Sequence, residues 1–172
     1  MVRKEIVECL RRGGVGVLPT DTIYGLVGSA LKPATVARIY ALRKRKKNKP
    51  FIVLIASPAD VRRFGVRPTA RNWTVLRKLW PGPVSIVLPV TGTEFRYLHG
   101  ENGIAFRVPK PAWLRALLQQ TGPLAAPSAN IAGKPAAETV REAFEAFGGK
   151  VDFYLDRGRR TGAPSTLIEI KR

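Results

Sequence analysis

The stretch whose reading decides the fold is Val15-Gly16-Val17-Leu18-Pro19-Thr20-Asp21-Thr22-Ile23-Tyr24-Gly25-Leu26. Residues 15–18 form a short apolar run of the kind that makes a buried strand. Pro19 has no N–H to give to a ladder, so the strand is expected to stop there. Three short oxygen-bearing side chains, Thr20, Asp21 and Thr22, then crowd the strand end, followed by Tyr24 and Gly25. Taken alone, this is either a polar turn between strands or one wall of a site, since ligands of open α/β sheets bind outside the carboxyl ends of strands.

Working outward, residues 3–12 have Ile6, Val7 and Leu10 at helical spacing, and Gly13-Gly14 stops that helix. Cys9 packs on it as a small apolar residue. Residues 27–31 read as a second short strand. Pro33 starts a helix carrying Val36, Ile39, Tyr40 and Arg43, which runs into Arg43-Lys44-Arg45-Lys46-Lys47-Asn48-Lys49-Pro50. Six of the seven residues 43–49 are basic, so this block is expected to be a loop unless an anion holds it. Residues 51–55 are a continuous apolar run and read as a central strand. Pro58 opens a short helix, and Thr69 caps a longer one bearing Trp73, Leu76, Leu79 and a core Trp80. Strands are expected at 84–90, 104–108, 124–126, 151–155 and 166–170. Helices are expected at 111–120 and at 139–147, the latter with Val140, Phe144 and Phe147 inward. Strands and helices mingle without strict alternation, which predicts an α/β fold: one twisted mixed sheet flanked by helices, a single domain over 1–172.

Thirty Lys and Arg against twelve Asp and Glu give a formal charge of +18. Such a field favours polyanions, whether RNA, DNA or a nucleoside triphosphate. The competing explanation, a thermophile-like soluble surface, normally raises Glu alongside Lys. No uninterrupted run of about 18 apolar residues exists to span a membrane, and Met1-Val2-Arg3-Lys4-Glu5 leads into an amphipathic pattern and not a signal peptide. One cysteine excludes an internal disulfide and a multi-cysteine zinc site. The lone His99 reads as a loop residue. There is no GxxxxGK[ST] loop, no GxGxxG after a strand, and no motif to support a histidine-based triad. Cations, hydroxyls and an amide remain, a set suited to binding phosphates and carboxylates, with no protein-held metal expected.

Several segments stand out together: Pro19 to Leu26, Arg43-Lys44-Arg45 with Lys49-Pro50, Trp80-Pro81-Gly82-Pro83-Val84-Ser85, and Ala126-Pro127-Ser128-Ala129-Asn130. Near the C-terminus come Asp156-Arg157-Gly158 and Pro164-Ser165-Thr166. In these, and in their order, the chain resembles the YrdC-type threonylcarbamoyl-AMP synthases over nearly its whole length. It ends soon after Ser165-Thr166, as the single-domain form of that family does. The resemblance implies condensation of L-threonine, bicarbonate or carbon dioxide, and ATP to threonylcarbamoyl-AMP and pyrophosphate. A tRNA threonylcarbamoyl transferase complex would pass the group to the tRNA adenosine beside the anticodon, in the cytoplasm. Mg²⁺ would come carried on ATP.

By the same resemblance, Thr20 and Ser165 would contact threonine, with Arg107 pairing its carboxylate. Arg43 and Arg45 match the family's Lys-x-Arg pair on the ATP phosphates, and Ser128 and Asn130 its Ser-x-Asn pair, also on ATP. These four would be the catalytic set, with Ser85 a further phosphate or ribose contact. Lys44, Lys46, Lys47 and Lys49 are left over: they are expected to track an RNA backbone, the alternative being a mobile loop that folds over ATP as a lid. The chain departs from the family in having Arg43 where Lys is usual, Lys46 where Pro commonly follows the Arg, and an end at Ile170-Lys171-Arg172 where relatives often continue into a strand bearing an Arg. Lys171 or Arg172 would have to stand in for that residue. Two alternatives stay open: a non-catalytic tRNA- or double-stranded-RNA-binding module of the same fold, and the related carbamoyl-phosphate-using domain of hydrogenase maturation. The latter sits in a much longer, cysteine-rich polypeptide.

Overall fold

The computed structural model describes residues 3–46 and 50–170. The expectations placed on Lys47, Lys49, Lys171 and Arg172 lie outside the described residues. The first helix, α1 (Lys4–Arg12), ends where Gly13 turns left-handed at φ 97°. Strands β1 (Val15–Pro19) and β2 (Tyr24–Ser29) then form an antiparallel hairpin, in register from Val15 opposite Gly28 to Pro19 opposite Tyr24. The second strand therefore starts at Tyr24 and not at residue 27. The reason is local: the Thr20 N–H donates to the Ile23 carbonyl at 3.0 Å, which closes the four polar-rich residues into a hairpin tip.

Helix α2 (Pro33–Arg43) runs through Arg43, so the basic block begins inside a helix. It stops at Lys44, which takes a left-handed φ of 51°. After β3 (Ile52–Leu54), a 3-10 turn (Pro58–Phe64) leads to α3 (Ala70–Leu79). The α3 cap is reciprocal: the Thr69 hydroxyl accepts the Asn72 N–H, and the Asn72 side chain accepts the Thr69 N–H. The remaining elements are β4 (Val84–Leu88), β5 (Ile104–Arg107), α4 (Ala112–Thr121), β6 (Leu124–Ala125), α5 (Val140–Phe147), β7 (Phe153–Tyr154) and β8 (Thr166–Glu169).

Among the described residues these strands form one eight-stranded sheet in the order β7-β1-β2-β6-β3-β5-β4-β8. The pairs β1–β7, β3–β5 and β4–β8 are parallel and the others antiparallel, a mixed sheet as expected. Strand alternation divides the core in two. Val17, Val53, Ile86 and Phe106 face one core, shared with Val36, Ile39, Leu76 and Phe147. Leu18, Val27, Leu54 and Leu124 face the other, beneath Leu10 of α1 and Leu114, Leu117 and Leu118 of α4. Each such buried leucine contributes about 1.5–3 kcal/mol. By alternation with Phe106 and Ile86, Arg107 and Ser85 leave the sheet on this second side, at β5 and β4.

Phe144 differs from expectation. It is 55% exposed. Ala143 and Phe147, one helical turn apart, take the inward stripe of α5, and Phe144 lies across Tyr154 at 5.4 Å between ring centroids. Trp80 is a core residue as expected, and its indole N–H donates to the Val84 carbonyl at 2.7 Å. β7 and β8 are consecutive in sequence yet lie at opposite edges of the sheet. Residues 155–165 must therefore cross its full width without regular structure.

Candidate active site

A cleft of about 350 Å³ opens where the β1–β2 hairpin tip, the end of α2, the segment after β6 and the 155–165 crossing converge. Thr20, Arg43, Arg45, Arg107, Ser128, Asn130 and Ser165 all line it. Residues far apart in sequence are thus gathered in one place, within the size range of small-molecule sites.

At the hairpin tip the Thr20 hydroxyl donates to the Ile23 carbonyl at 2.8 Å and accepts the Thr22 N–H at 3.2 Å. It lies 3.0 Å from the Thr22 hydroxyl. Arg107 reaches this tip from β5. Its Nη1 donates to the Thr22 hydroxyl at 3.3 Å, and its Nη2 lies 3.4 Å from Asp21 Oδ1. The other Asp21 oxygen accepts the Lys110 N–H at 3.1 Å. Arg107 is only 4% exposed, and its Nε has no hydrogen-bond partner among the described residues. Burial lowers its pKa and Asp21 acts in the opposite sense. A strand arginine in a sequence reads equally well as solvent-facing; Asp21 is the partner that sequence reasoning missed.

Arg43 organises the opposite wall. Its Nε donates to the Asn130 carbonyl at 2.9 Å, and its Nη2 to Asn130 Oδ1 at 2.8 Å and to the Ser128 hydroxyl at 3.1 Å. Asn130 passes the constraint on, its amide donating to the carbonyls of Ile131 and Lys134 at 3.0 and 2.5 Å. Burial, and secondarily Arg45, pull the Arg43 pKa down to about 10. Its Nη1 is buried without a hydrogen-bond partner among the described residues. A lysine could not make this three-acceptor fork, which gives the departure from the family pattern a structural meaning. Arg45 lies beyond the helix end, its guanidinium 5.6 Å from the centre of the Phe51 ring and its Nη2 donating to the Pro50 carbonyl at 3.3 Å.

The crossing segment closes the third side. Tyr24, fully buried, donates to the Gly158 carbonyl at 2.8 Å and contacts Asp156 Oδ1 at 3.2 Å, while the Arg157 N–H donates to the Tyr24 oxygen at 3.3 Å. Burial raises the Tyr24 pKa, keeping it a donor at neutral pH. Ser165 meets Ser85, hydroxyl to hydroxyl, at 2.8 Å. Ser85 is fully buried and does not line the cleft, so the structure places it behind Ser165, where it orients that hydroxyl. Lys44 and Lys46 are exposed and outside the lining. Lys134, also in the lining, was missed by sequence reasoning; its signal was its place four residues after Asn130, in the Gly133-Lys134-Pro135 turn.

The cleft thus offers guanidinium, hydroxyl and amide groups, and two of its guanidinium N–H groups are buried without a partner among the described residues. Both belong to arginines that line the cleft, so each wall carries a positive charge that favours an anionic ligand.

Comparison with known proteins agrees with this fold. The Sua5/YciO/YrdC family model, described as "Telomere recombination", matches residues 8–172. The chain is 33% identical over 164 residues to the threonylcarbamoyl-AMP synthase of Pyrococcus abyssi, covering 94% of this chain and 48% of that one. It is 33% identical to the threonylcarbamoyl-AMP synthase of Nitrosococcus oceani, covering 92% of this chain and 87% of that one. Among solved structures, that of P. abyssi Sua5 complexed with L-threonine superposes with a TM-score of 0.89 at 31% identity, over 96% of this chain and 50% of that one. The chain spans about half the length of the Pyrococcus protein and most of the Nitrosococcus one. Matched length and fold coincide, and the chain belongs to the Sua5/YciO/YrdC family.

Proposed function

We propose that the protein is a threonylcarbamoyl-AMP synthase, acting as one domain over 1–172. The observation that carries this reading is the pair of buried arginines, Arg43 and Arg107, each on a different wall of one cleft and each with an N–H that has no hydrogen-bond partner among the described residues. Such a site suits a small carboxylate at one end and a polyphosphate at the other. The relatives named for this activity, and the relative solved with L-threonine, support the assignment.

In the proposed reaction the threonine amine adds to carbon dioxide and loses a proton, giving a carbamate. A carbamate oxygen then bonds to the α-phosphorus of ATP. The bond from that phosphorus to its bridging oxygen breaks, and pyrophosphate leaves with the electron pair. Little proton transfer is asked of the protein; its work is positioning and stabilising charge. Arg107 pairs the threonine carboxylate beside Thr20 and Ser165. Arg43 and Arg45 face the phosphates, and Arg43 also fixes Ser128 and Asn130 in place. The donor set suits phosphate oxygens and not a bare dication, so magnesium is expected to arrive on the triphosphate. The product is a reactive mixed anhydride, which a tRNA threonylcarbamoyl transferase complex would consume in the cytoplasm. Among the described residues no helix is long and apolar enough to cross a membrane.

A non-catalytic RNA-binding module of the same fold is favoured by the +18 charge alone. Pyrophosphate release separates the two. The synthase reading expects release only when ATP, L-threonine and bicarbonate are all present. Release indifferent to threonine, or none, removes it.

A further inference from the structure

The strongest feature that the cleft does not use is the surface of the 3-10 turn and α3. Residues 61–93 contain no Asp or Glu, while Arg62, Arg63, Arg67, Arg71, Arg77 and Lys78 all fall within them. All six are exposed. Among the described residues none of them forms an ion pair with a carboxylate. The guanidinium groups of Arg62 and Arg77 lie 5.0 and 5.9 Å from the centre of the half-buried Trp73 ring, which gathers them onto one surface. Arg62 and Arg67 also border a recess of about 440 Å³ with Gly65, Val66 and Pro68.

Folding does not account for this charge. Arg77 and Lys78 sit in the last turn of α3, where the helix dipole favours a cation. Arg71 sits in the first turn, where it does not, and that turn has no acidic residue. Six like charges without a carboxylate among them repel one another, so the arrangement gains only when something anionic covers it.

We propose that this surface is a second polyanion site, separate from the cleft, that holds the phosphodiester backbone of a nucleic acid. α3 is ten residues long, about 15 Å, which spans several consecutive phosphates and exceeds one nucleotide. Five of the six cations are arginine, the side chain whose fork matches phosphate oxygens. A lipid surface would also want large apolar side chains to insert. Among the described residues the exposed large hydrophobics, Phe144 and Leu167, both lie outside this segment. Val61, Phe64, Val66 and Leu76 anchor the surface in the core on the sheet face opposite the one from which Arg107 projects. No residue of 61–93 lines the cleft, so the site is separate from it and does not rest on the synthase reading.

The test is a variant carrying Arg63→Gln, Arg67→Gln, Arg71→Gln and Lys78→Gln, which leaves both Trp73 contacts intact. Binding of a tRNA transcript and of a DNA duplex is measured by fluorescence anisotropy over a salt series, with thermal melting to check the fold. Each phosphate contact contributes roughly −0.7 to −0.9 to the slope of log affinity against log salt, so the slope should flatten by about two to four units. Equal flattening for both probes supports a backbone site open to either nucleic acid; flattening for tRNA alone supports the same site with RNA as its source. Unchanged affinity and slope for both in a folded variant overturns the proposal. So does a loss confined to vesicles of anionic phospholipid. Should the fourfold variant fail to fold, Arg67→Gln with Arg71→Gln must flatten the slope by about one to two units, or the proposal falls. Threonine-dependent pyrophosphate release should survive; its loss in a folded variant overturns the independence of the two sites.

Discussion

Replacing Arg107 with methionine separates two roles that one side chain holds. Arg107 and Asp21 are both almost fully buried, 3.4 Å apart, and Asp21 keeps the Lys110 N–H as a second partner. Removing one member of a buried pair costs about 3–5 kcal/mol because the other charge is stranded. The retained Lys110 bond places Arg107→Met at the low end, about 3 kcal/mol. Adding Asp21→Asn removes the stranded charge and should recover more than half of that loss. Threonine binding should behave differently. Its carboxylate loses charge-assisted hydrogen bonds worth about 1.5–3 kcal/mol, a roughly ten- to hundredfold rise in Kd, and the second substitution cannot restore them. Urea unfolding gives the stability of the wild type, both single variants and the double; calorimetry gives their L-threonine affinities. Recovery of stability without recovery of affinity is the expected pattern. A double variant that binds threonine as well as the wild type would show that Arg107 serves the fold and not the substrate.

Asn130→Ala should cost about 1–3 kcal/mol of stability, because its amide ties Arg43 to the Ile131 and Lys134 carbonyls, whereas Ser128→Ala, losing one bond to Arg43, should cost under about 1 kcal/mol. Both should weaken ATP binding, and calorimetry alongside thermal melting reads the two effects apart. Arg43→Lys restores the residue usual in the family and should keep threonine-dependent turnover within about tenfold of wild type, a loss of about 1.4 kcal/mol at most; abolished turnover would mean that the fork on Ser128 and Asn130 is indispensable here. Tyr24→Phe releases the crossing segment from its hydroxyl, so trypsin should cut faster at Arg157, Arg159 and Arg160, and an unchanged rate would remove Tyr24 as its anchor. Asp152 is held below its usual pKa of 3.8, first by Arg38, so it stabilises the fold above that value and the contribution fades as pH falls through the lower native one. Asp152→Asn should therefore melt well below the wild type at pH 7 and approach it in acid; a constant gap across pH would refute the assignment.

What the sequence made legible was local. Helical spacing placed Ile6, Val7 and Leu10 inward on α1, and Thr69 was readable as a cap because its partner lies three residues on. The conjunction of polar motifs marked the cleft in advance, since Thr20, Arg43, Arg45, Arg107, Ser128, Asn130 and Ser165 do meet. What stayed hidden depends on sheet order. Nothing in the residues around Arg107 says that β5 brings it to Asp21, or that Arg43 will be buried against Asn130 and not exposed with the lysines beside it. Ser85 looked like a ligand contact because it sits in a motif; only the β4–β8 pairing shows it behind Ser165. Phe144 was misplaced because its helix has a narrow inward stripe that Ala143 and Phe147 already fill.

In the proposed reaction one cleft joins threonine, carbon dioxide and the α-phosphorus of ATP. Mass spectrometry of the protein incubated with Mg-ATP, L-threonine and carbon-13-labelled bicarbonate tests it directly. The expected product is threonylcarbamoyl-AMP carrying the label in its carbamoyl carbon, absent when threonine is omitted and strongly reduced in Arg107→Met. A folded protein that binds ATP and threonine yet yields no labelled adenylate would contradict it.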